Sequence, residues 1–529
     1  MIPNELLQVL KKEIIDYDCT IESTLVNDVD YILKAIIAKH AATHATYKAA
    51  YGRYQASLGD TPIFSRELPD FMKINNQINN SFMSEIIDTK QGYMAGIPIT
   101  YTVKPIDIPI KDYLKTQKVD SYIDITNKVR RFGLENDLVD LNMETVKMSS
   151  ICGTSARLMH INMEGKPEVV NVDPWETIFI YKDLSKTLAC SIRYYYQKVA
   201  STKYNGRNKK VASIEVENRL AVDLYDETYV YHFLADESGL LAPTTFIAKN
   251  PRKHMFKTVP LFEFRNNNER QGDCAKIYQL IDTYDKVLSD LSSEMEQFRL
   301  AYIALYGLKA TKADMDKLRQ TGMFEMTRDG KVEFITKKVD IDSIMSLLDK
   351  LETNIIRFSK SVNFKDENFY GNLSGVAIKY KLTQLEEKCK VLEVKFDSAD
   401  TYMWKTLSTF WAIKNIMLDP YEVHKQWTRN IPINMLEEAR IQTELKGNVS
   451  TKTRMSVASF IPDADIEHDA YIRELHENEE TGINTMGKEN KTVAPMKDLE
   501  DGAVNDDKTT NSPESKKRTA RAKEKRSTE

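Results

Sequence analysis

VAIKYKLTQLEEKCKVLEVKFDSADTYMWKTLSTF, residues 376–410, decides the architecture of this chain. Ile378, Leu382, Leu385, Cys389, Leu392, Phe396, Ala399, Met403, Leu407 and Phe410 recur at steps of three and four. Side chains so spaced share one face of a 3.6-residue helix, so the pattern predicts a helix of about 60 Å running to near Met417. The same spacing suits a coiled coil, but on helices joined by loops it points to packing across a larger body.

Upstream, NFKDENFYGNLSG at Asn363–Gly375 breaks the spacing with Asn, Asp and Gly and predicts a loop. Before it, Ile344, Leu348, Leu351, Ile355, Phe358 and Val362 line one face of a helix starting near Asp340–Asp342, where carboxylates suit the amino-terminal dipole. Asp273 to Tyr306 predicts another helix, about 50 Å long, on the stripe Ile277, Ile281, Tyr284, Leu288, Leu291, Met295, Phe298, Tyr302 and Leu305. Between the two, Met323–Met326 and Val332–Ile335 flank Arg328-Asp329-Gly330, which predicts a small hairpin, with a short helix beside it.

From about Thr100 to Phe264 the runs become short, β-branched and aromatic. TIFIY after Asp173-Pro174-Trp175, SIRYYYQKV at Ser191–Val199, TYVYHFLA at Thr228–Ala235 and TVPLFEF at Thr258–Phe264 predict strands in a mixed domain. Val26–Gln55 predicts one long helix. Past Pro432 a shorter helical region spans Asn434–Glu480, with a start signal at Pro462-Asp463. Residues 481–529 are too poor in apolar side chains to offset ordering entropy and predict a disordered tail, ending in the basic run Lys516-Lys517-Arg518 through Arg526. That run reads either as a solvated end or as a weak contact for DNA or an acidic protein surface. The class is mixed α/β and helix-rich.

At 529 residues the chain exceeds one ordinary core, so two to four structural units are expected. A net charge of −4 excludes bulk attraction to nucleic acid as the organising force. Five cysteines without CxxC spacing argue against a disulfide framework and a zinc site, and fit a reducing compartment. No apolar run of about 18 residues and no secretory leader pattern occur, so no membrane partner is expected.

The search for chemistry returns little. No GxxxxGK[ST] string is present to cradle phosphates, which removes the main support for a motor or kinase. His40 and His44 sit one turn apart with no acidic third ligand placed with them. Asp463, Asp465 and Glu467 imitate the start of a calcium loop, yet His468 occupies the position that needs glycine, and helix amino-terminal charge explains them better. No GxSxG elbow or Cys–His arrangement appears. The expectation is a chain without catalytic residues, metal or cofactor.

Two stretches carry a family resemblance. PLFEFRNNNERQGDCAKIYQLIDTYDKVLSDLSSEMEQF at Pro260–Phe298 resembles the start of the stem in portal proteins of long-tailed phages infecting Gram-positive bacteria, with Cys274 where an aromatic residue is usual. KDENFYGNLSGVAIKYKLTQLEEKCKVLEVKF at Lys365–Phe396 resembles that family's tunnel loop and the long helix behind it. INNQINNSFMSEIIDTKQGYMAGIPITY at Ile74–Tyr101 and TRNIPINMLEEARI at Thr428–Ile441 are weaker matches in the same order.

The resemblance implies a portal fold: a homo-oligomeric ring of about twelve subunits around a channel for double-stranded DNA, held non-specifically. Its parts would be a wing at 1–265 completed by 418–433, stem helices at 266–306 and 340–362, and a clip at 307–339. A tunnel loop at 363–375, the long helix at 376–417, a crown at 434–480 and the tail at 481–529 complete it. Implied partners are the terminase large subunit, a head–tail adaptor, and scaffolding and major capsid proteins. The implied place is the portal vertex of the virion, after assembly in the host cytoplasm.

Apolar stripes that one chain cannot cover would need ring neighbours; the plainer alternative is that they pack on each other within one chain. In the loop, Lys365, Asp366, Glu367, Asn368, Phe369, Tyr370 and Asn372 would project into the bore, or else form an ordinary connection. A densely basic bore would trap DNA through counterion release, and the first stem helix instead carries Asp282, Asp285, Asp290, Glu294 and Glu296. Some of these acids either face the channel or solvate an outer face. The competing classes are a nucleic-acid enzyme or motor subunit and a generic oligomeric scaffold.

Overall fold

The computed structural model describes residues 2–14, 29–67, 74–105, 119–182, 187–205, 210–243, 251–298, 302–306, 311, 316, 331–335, 340–363, 375–430, 435–458, 461 and 464–480. In chain order they begin with helices α1 (Asn4–Ile14), α2 (Val29–Tyr54) and α3 (Phe82–Ala95), strand β1 (Thr100–Val103), and helices α4 (Val119–Glu135) and α5 (Leu138–Cys152). Strands β2 (Thr154–Ile161), β3 (Pro167–Val172), β4 (Thr177–Tyr181), β5 (Leu188–Asn205), β6 (Lys210–Tyr225), β7 (Tyr229–Ala235), β8 (Leu241–Pro243), β9 (Arg252–Lys253) and β10 (Leu261–Arg265) follow. Then come α6 (Tyr278–Phe298), β11 (Tyr302–Tyr306), β12 (Lys331–Ile335), α7 (Ile341–Ser359), α8 (Gly375–Ile413), β13 (Val423–Gln426), α9 (Met435–Glu444), α10 (Thr451–Val457) and α11 (Ala464–Glu480). The chain divides into a unit at Met1–Glu467 and a second from His468 onward, whose described part is the rest of α11.

Among the described residues the strands form four sheets, antiparallel wherever they pair. One has the order β10-β2-β3; the largest runs β4-β5-β6-β7-β8 with β9 on β7; β1 joins β13 and β11 joins β12. The β5–β6 register runs from Ser191↔Tyr225 to Asn205↔Lys210, whereas β4 reaches only Arg193 and β7 only Ala221.

Helix α8 is the spine of the main core. Leu382, Leu385, Cys389, Leu392, Phe396, Met403, Leu407 and Phe410 are buried together with Trp404, against Ala156 of β2, Leu261, Phe262 and Phe264 of β10, and Phe132 of α4. Each such side chain taken out of water contributes roughly 1.5–3 kcal/mol, against a few tenths from propensity, so burial holds the helix. A second core seats Leu6, Leu10, Ile32 and Ile36 of α1 and α2 on Ile178, Ile192, Val222 and Leu224 of the largest sheet. A third joins Ile281 of α6 and Ile355 of α7 to Phe82, Ile86 and Ile87 of α3. Ile281 lies early in its helix and Ile355 late in its own, so α6 and α7 run antiparallel.

Several expectations change. From Leu382 to Phe410 the α8 stripe is covered by its own chain, so there it needs no ring neighbour to bury it. The helix expected over Asp273–Tyr306 spans only Tyr278–Phe298; Tyr302–Tyr306 is strand, its apolar YIALY run pairing with Val332–Ile335 and Lys331. That pairing also supplies the partner of Val332–Ile335, for which Met323–Met326 had been expected; Met323–Met326 and the Asp329-Gly330 turn lie outside the described residues. Helices α4 and α5 fall in the stretch read as strands, because their stripes are interrupted by polar residues that the short-run pattern masked. Helix α8 ends at Ile413 rather than near Met417, where Asn415 adopts positive φ. Phe358 of α7 is exposed although the stripe placed it inward.

Two glycines permit a close approach of backbone to backbone. Gly153 follows α5 at φ +88°, and a Cβ there would lie 2.3 Å from the Arg270 backbone; at Gly272 it would lie 2.1 Å from the Ile151 carbonyl oxygen. The segment leading into α6 is thereby pressed against the α5–β2 turn.

Candidate functional site

Helix α6 carries the five acids singled out from the sequence, and the structure gives four of them partners in residues 53–80. Asp282 receives Arg53 through Nη1 to Oδ1 at 2.9 Å and Nη2 to Oδ2 at 3.2 Å. Arg66 pairs with Asp290, and Asn76 Nδ2 donates to Glu296 at 2.9 Å. Asp285 is 3% exposed and accepts from Asn80 through its backbone N–H at 3.1 Å and its side-chain amide at 2.8 Å. Glu294 is partly buried.

These contacts belong to a polar ladder. Ser289 Oγ accepts the Ile78 N–H and Ser293 Oγ the Asn76 N–H, both at 3.0 Å. Every second amide of the strap Ile74–Asn80 therefore meets every fourth residue of α6, in opposite chain directions. The odd-numbered side chains turn the other way: Asn75 donates to the Arg66 carbonyl at 3.1 Å and Gln77 to that of Phe64 at 3.2 Å. The strap satisfies its backbone on a helix where a sheet would otherwise be needed. Sequence reading missed this role; the signal was the Asp285, Ser289, Ser293 spacing of four beside the alternation in INNQINN.

Burial raises the Asp285 carboxyl above the ordinary carboxylate range, against the pull of the Asn80 hydrogen bonds. A raised folded value means that its stabilising contribution is present at acid pH and lost as pH rises through that value. Burial makes the ionised form the costly one, and Asn keeps an oxygen for both Asn80 donors. Asp285→Asn should therefore match or exceed the wild-type melting temperature at pH 7, while Asp285→Ala, which strands two donors, should cost about 1–3 kcal/mol. Equal damage from both would show that the negative charge itself holds the strap.

At the foot of α6 a second constellation joins four elements. Asp273 lies 3.0 Å from Lys90 of α3 and 3.1 Å from Lys388 of α8, and accepts from Asn266 Nδ2 at 2.9 Å. Lys90 also donates to Asn266 Oδ1 at 3.0 Å, and Lys388 to the Ser359 carbonyl that ends α7 at 3.0 Å. Burial opposes ionisation of Asp273, yet the Lys90 and Lys388 charges hold it below the usual carboxylate range. Burial lowers Lys90 below an ordinary lysine. Also on α8, Glu386 and Glu393 accept from Arg429, and the Tyr93 hydroxyl donates to Glu386 at 2.9 Å.

Lys365, Asp366, Glu367, Asn368, Phe369, Tyr370 and Asn372 lie outside the described residues, as do the tail residues 481–529 with their basic run. His40 shares a hydrogen bond with the Tyr194 hydroxyl at 2.9 Å; burial, then the His44 charge, lowers it to about 4. Cys152, Cys190, Cys274 and Cys389 are buried free thiols; burial pushes Cys190 and Cys274 up to about 12 and Cys389 to about 11. Such thiols resist becoming thiolate nucleophiles. Among the described residues no helix is long and apolar enough to cross a membrane.

Comparison with known proteins adds the remaining evidence. A family model described as "Phage portal protein, SPP1 Gp6-like" matches residues 33–483. The chain is 23% identical over 465 residues to the portal protein of Clostridium phage phiCD119 (strain Clostridium difficile/United States/Govind/2006), covering 84% of this chain and 95% of that one. It is 22% identical over 508 residues to the portal protein of Bacillus phage SPP1, covering 92% of each.

Proposed function

The chain belongs to the SPP1 Gp6-like family of phage portal proteins, and from that premise we propose that about twelve copies form the ring at one capsid vertex through which double-stranded DNA enters and leaves. The observation that carries the reading is the family match across residues 33–483, which takes in helices α3 to α11 and all but the first turn of α2. The ring docks the terminase large subunit and a head–tail adaptor, contacts scaffolding and major capsid proteins, and helps to nucleate the head. The pumping energy comes from the terminase motor.

Within the ring, residues 1–265 with 418–433 form the wing, 266–306 and 340–362 the stem, 307–339 the clip, 363–375 the tunnel loop, 376–417 the helix behind it, and 434–480 the crown. The antiparallel α6–α7 pair supports the stem, and the joining of Lys388, Asp273 and Ser359 supports a long helix braced on the stem's foot. Asp285, enclosed by the strap, is left out of the channel set. Asp290 and Glu296, which retain exposed surface beside their partners, are the acids we assign to the channel side, with Asp282 and Glu294 flanking them.

Electron microscopy of the purified protein, with particle mass read in the same preparation, tests the assembly. Rings with a central hole and a mass of about twelve times 60.9 kDa are expected; a globular monomer would overturn the reading, and ATP hydrolysis by the purified chain would bring back the motor alternative. Deleting Phe369–Asn372 should leave ring formation intact and lower DNA packaging at least tenfold, on the order of 1.4 kcal/mol in an effective barrier. Normal packaging would remove the loop from the channel.

A further inference from the structure

Strands β5 and β6 outrun their sheet. Among the described residues, from Tyr196↔Leu220 to Asn205↔Lys210 they pair only with each other, a two-stranded ribbon about 30 Å long. Isolated two-stranded ribbons are marginal in water, so one this long needs a surface to lie on.

The register shows which face would do so. Tyr194↔Val222 is buried in the second core, and residues two apart along a strand share a face. Tyr196↔Leu220, the polar pair Lys198↔Asn218 and Ala200↔Val216 therefore continue the core's own face beyond α1 and α2. Tyr196 is 73% and Val216 62% exposed there. The opposite face is more polar, with Gln197↔Arg219 and Val199↔Glu217. Residues 197–219 carry six Lys or Arg against two Glu.

A surface of opposite character exists on the same chain. At the α4–α5 turn Leu134 is 82% exposed and Val139 is exposed, among Glu135, Asp137 and Asp140. Asn136 Oδ1 accepts the Val169 N–H at 3.0 Å, which sets this turn beside the β2–β3 hairpin, where Met163 stands fully exposed next to Glu164. With Glu135 paired to Arg131 at 2.8 Å and Glu164 to Lys166 at 2.9 Å, the patch keeps Asp137 and Asp140 as surplus acid beside its apolar groups, where the ribbon's sequence carries surplus base.

We propose that the β5–β6 ribbon of one subunit lies, through Tyr196 and Val216, on the Leu134–Met163 patch of the next copy of this chain. Two different, complementary patches on one subunit make a head-to-tail contact, the kind that closes into a cyclic ring. The proposal rests on the ring reading above and gives it a residue-level contact in the wing.

Cysteine crosslinking tests it on the full chain, with Cys19 replaced by Ser because the four described cysteines are buried. Val216→Cys combined with Leu134→Cys should, on mild oxidation of rings, give a ladder of covalent oligomers reaching the full ring, which neither single variant gives. Tyr196→Asp with Val216→Asp should keep the wild-type melting temperature, since both side chains are exposed, and move at least nine-tenths of the protein from rings to smaller species. Rings that persist in the double Asp variant and give no ladder in the Cys pair overturn the ribbon contact while leaving the ring standing. A wild-type chain that forms no rings overturns both.

Discussion

Asp273→Asn should destabilise the protein by about 3–5 kcal/mol, the largest single-residue loss expected from its polar interior. One carboxylate serves two lysines at 3.0 and 3.1 Å, and Lys90 is wholly enclosed. Asparagine preserves the shape and removes the shared counter-ion, leaving two cations out of water. Lys90→Met should cost much less, because Asp273 keeps Lys388 and Asn266. Denaturant midpoints of the two variants give the ranking, and a Lys90→Met loss as large as that of Asp273→Asn would contradict it. Because the Asp273 value is depressed in the fold, its contribution is complete above the unfolded carboxylate value of about 3.9 and fades as pH falls below it. The gap between wild type and Asp273→Asn should accordingly narrow towards pH 3.

Trp404→Ala should cost about 3–5 kcal/mol for a different reason, the cavity left beside the carboxyl-terminal third of α8. Its indole is fully buried, with the Tyr101 ring at 5.3 Å and the Phe132 ring at 5.7 Å. Nε1 donates to Asp400 at 2.8 Å, and Asp400 also faces Lys425 at 3.4 Å. Trp404→Phe fills most of the space and removes only the donor, so about 1–3 kcal/mol is expected. Thermal unfolding of the pair separates packing from hydrogen bonding; equal losses would place the whole effect on Asp400.

Much of the fold was legible because burial periodicity is a local property. The α8 stripe, α2, α7 with its Asp340 cap, and the strands after Asp173-Pro174-Trp175 could each be read from spacing alone. The Tyr302–Tyr306 strand was not, since Tyr302 and Leu305 happen to continue the helical count and only the distant Lys331–Ile335 decides between the two. The candidate site suffered similarly. The acids of α6 were visible as charges, but a charge does not announce its partner, and Arg53, Arg66, Asn76 and Asn80 stand more than two hundred residues away. Lys90, Asp273 and Lys388 were not singled out for the same reason, their contacts spanning more than a hundred residues of chain.

The strap on α6 also works as a vernier. Four helical residues advance about 6.0 Å and two extended residues about 6.6 Å, so each added rung slips by about 0.6 Å. Three rungs, Asn80 with Asp285, Ile78 with Ser289 and Asn76 with Ser293, stay within hydrogen-bond tolerance. Further rungs would drift out of reach, and a one-residue slide would exchange the inward and outward side chains. The segment can therefore seat in a single position, and it gauges where α3 must begin along α6.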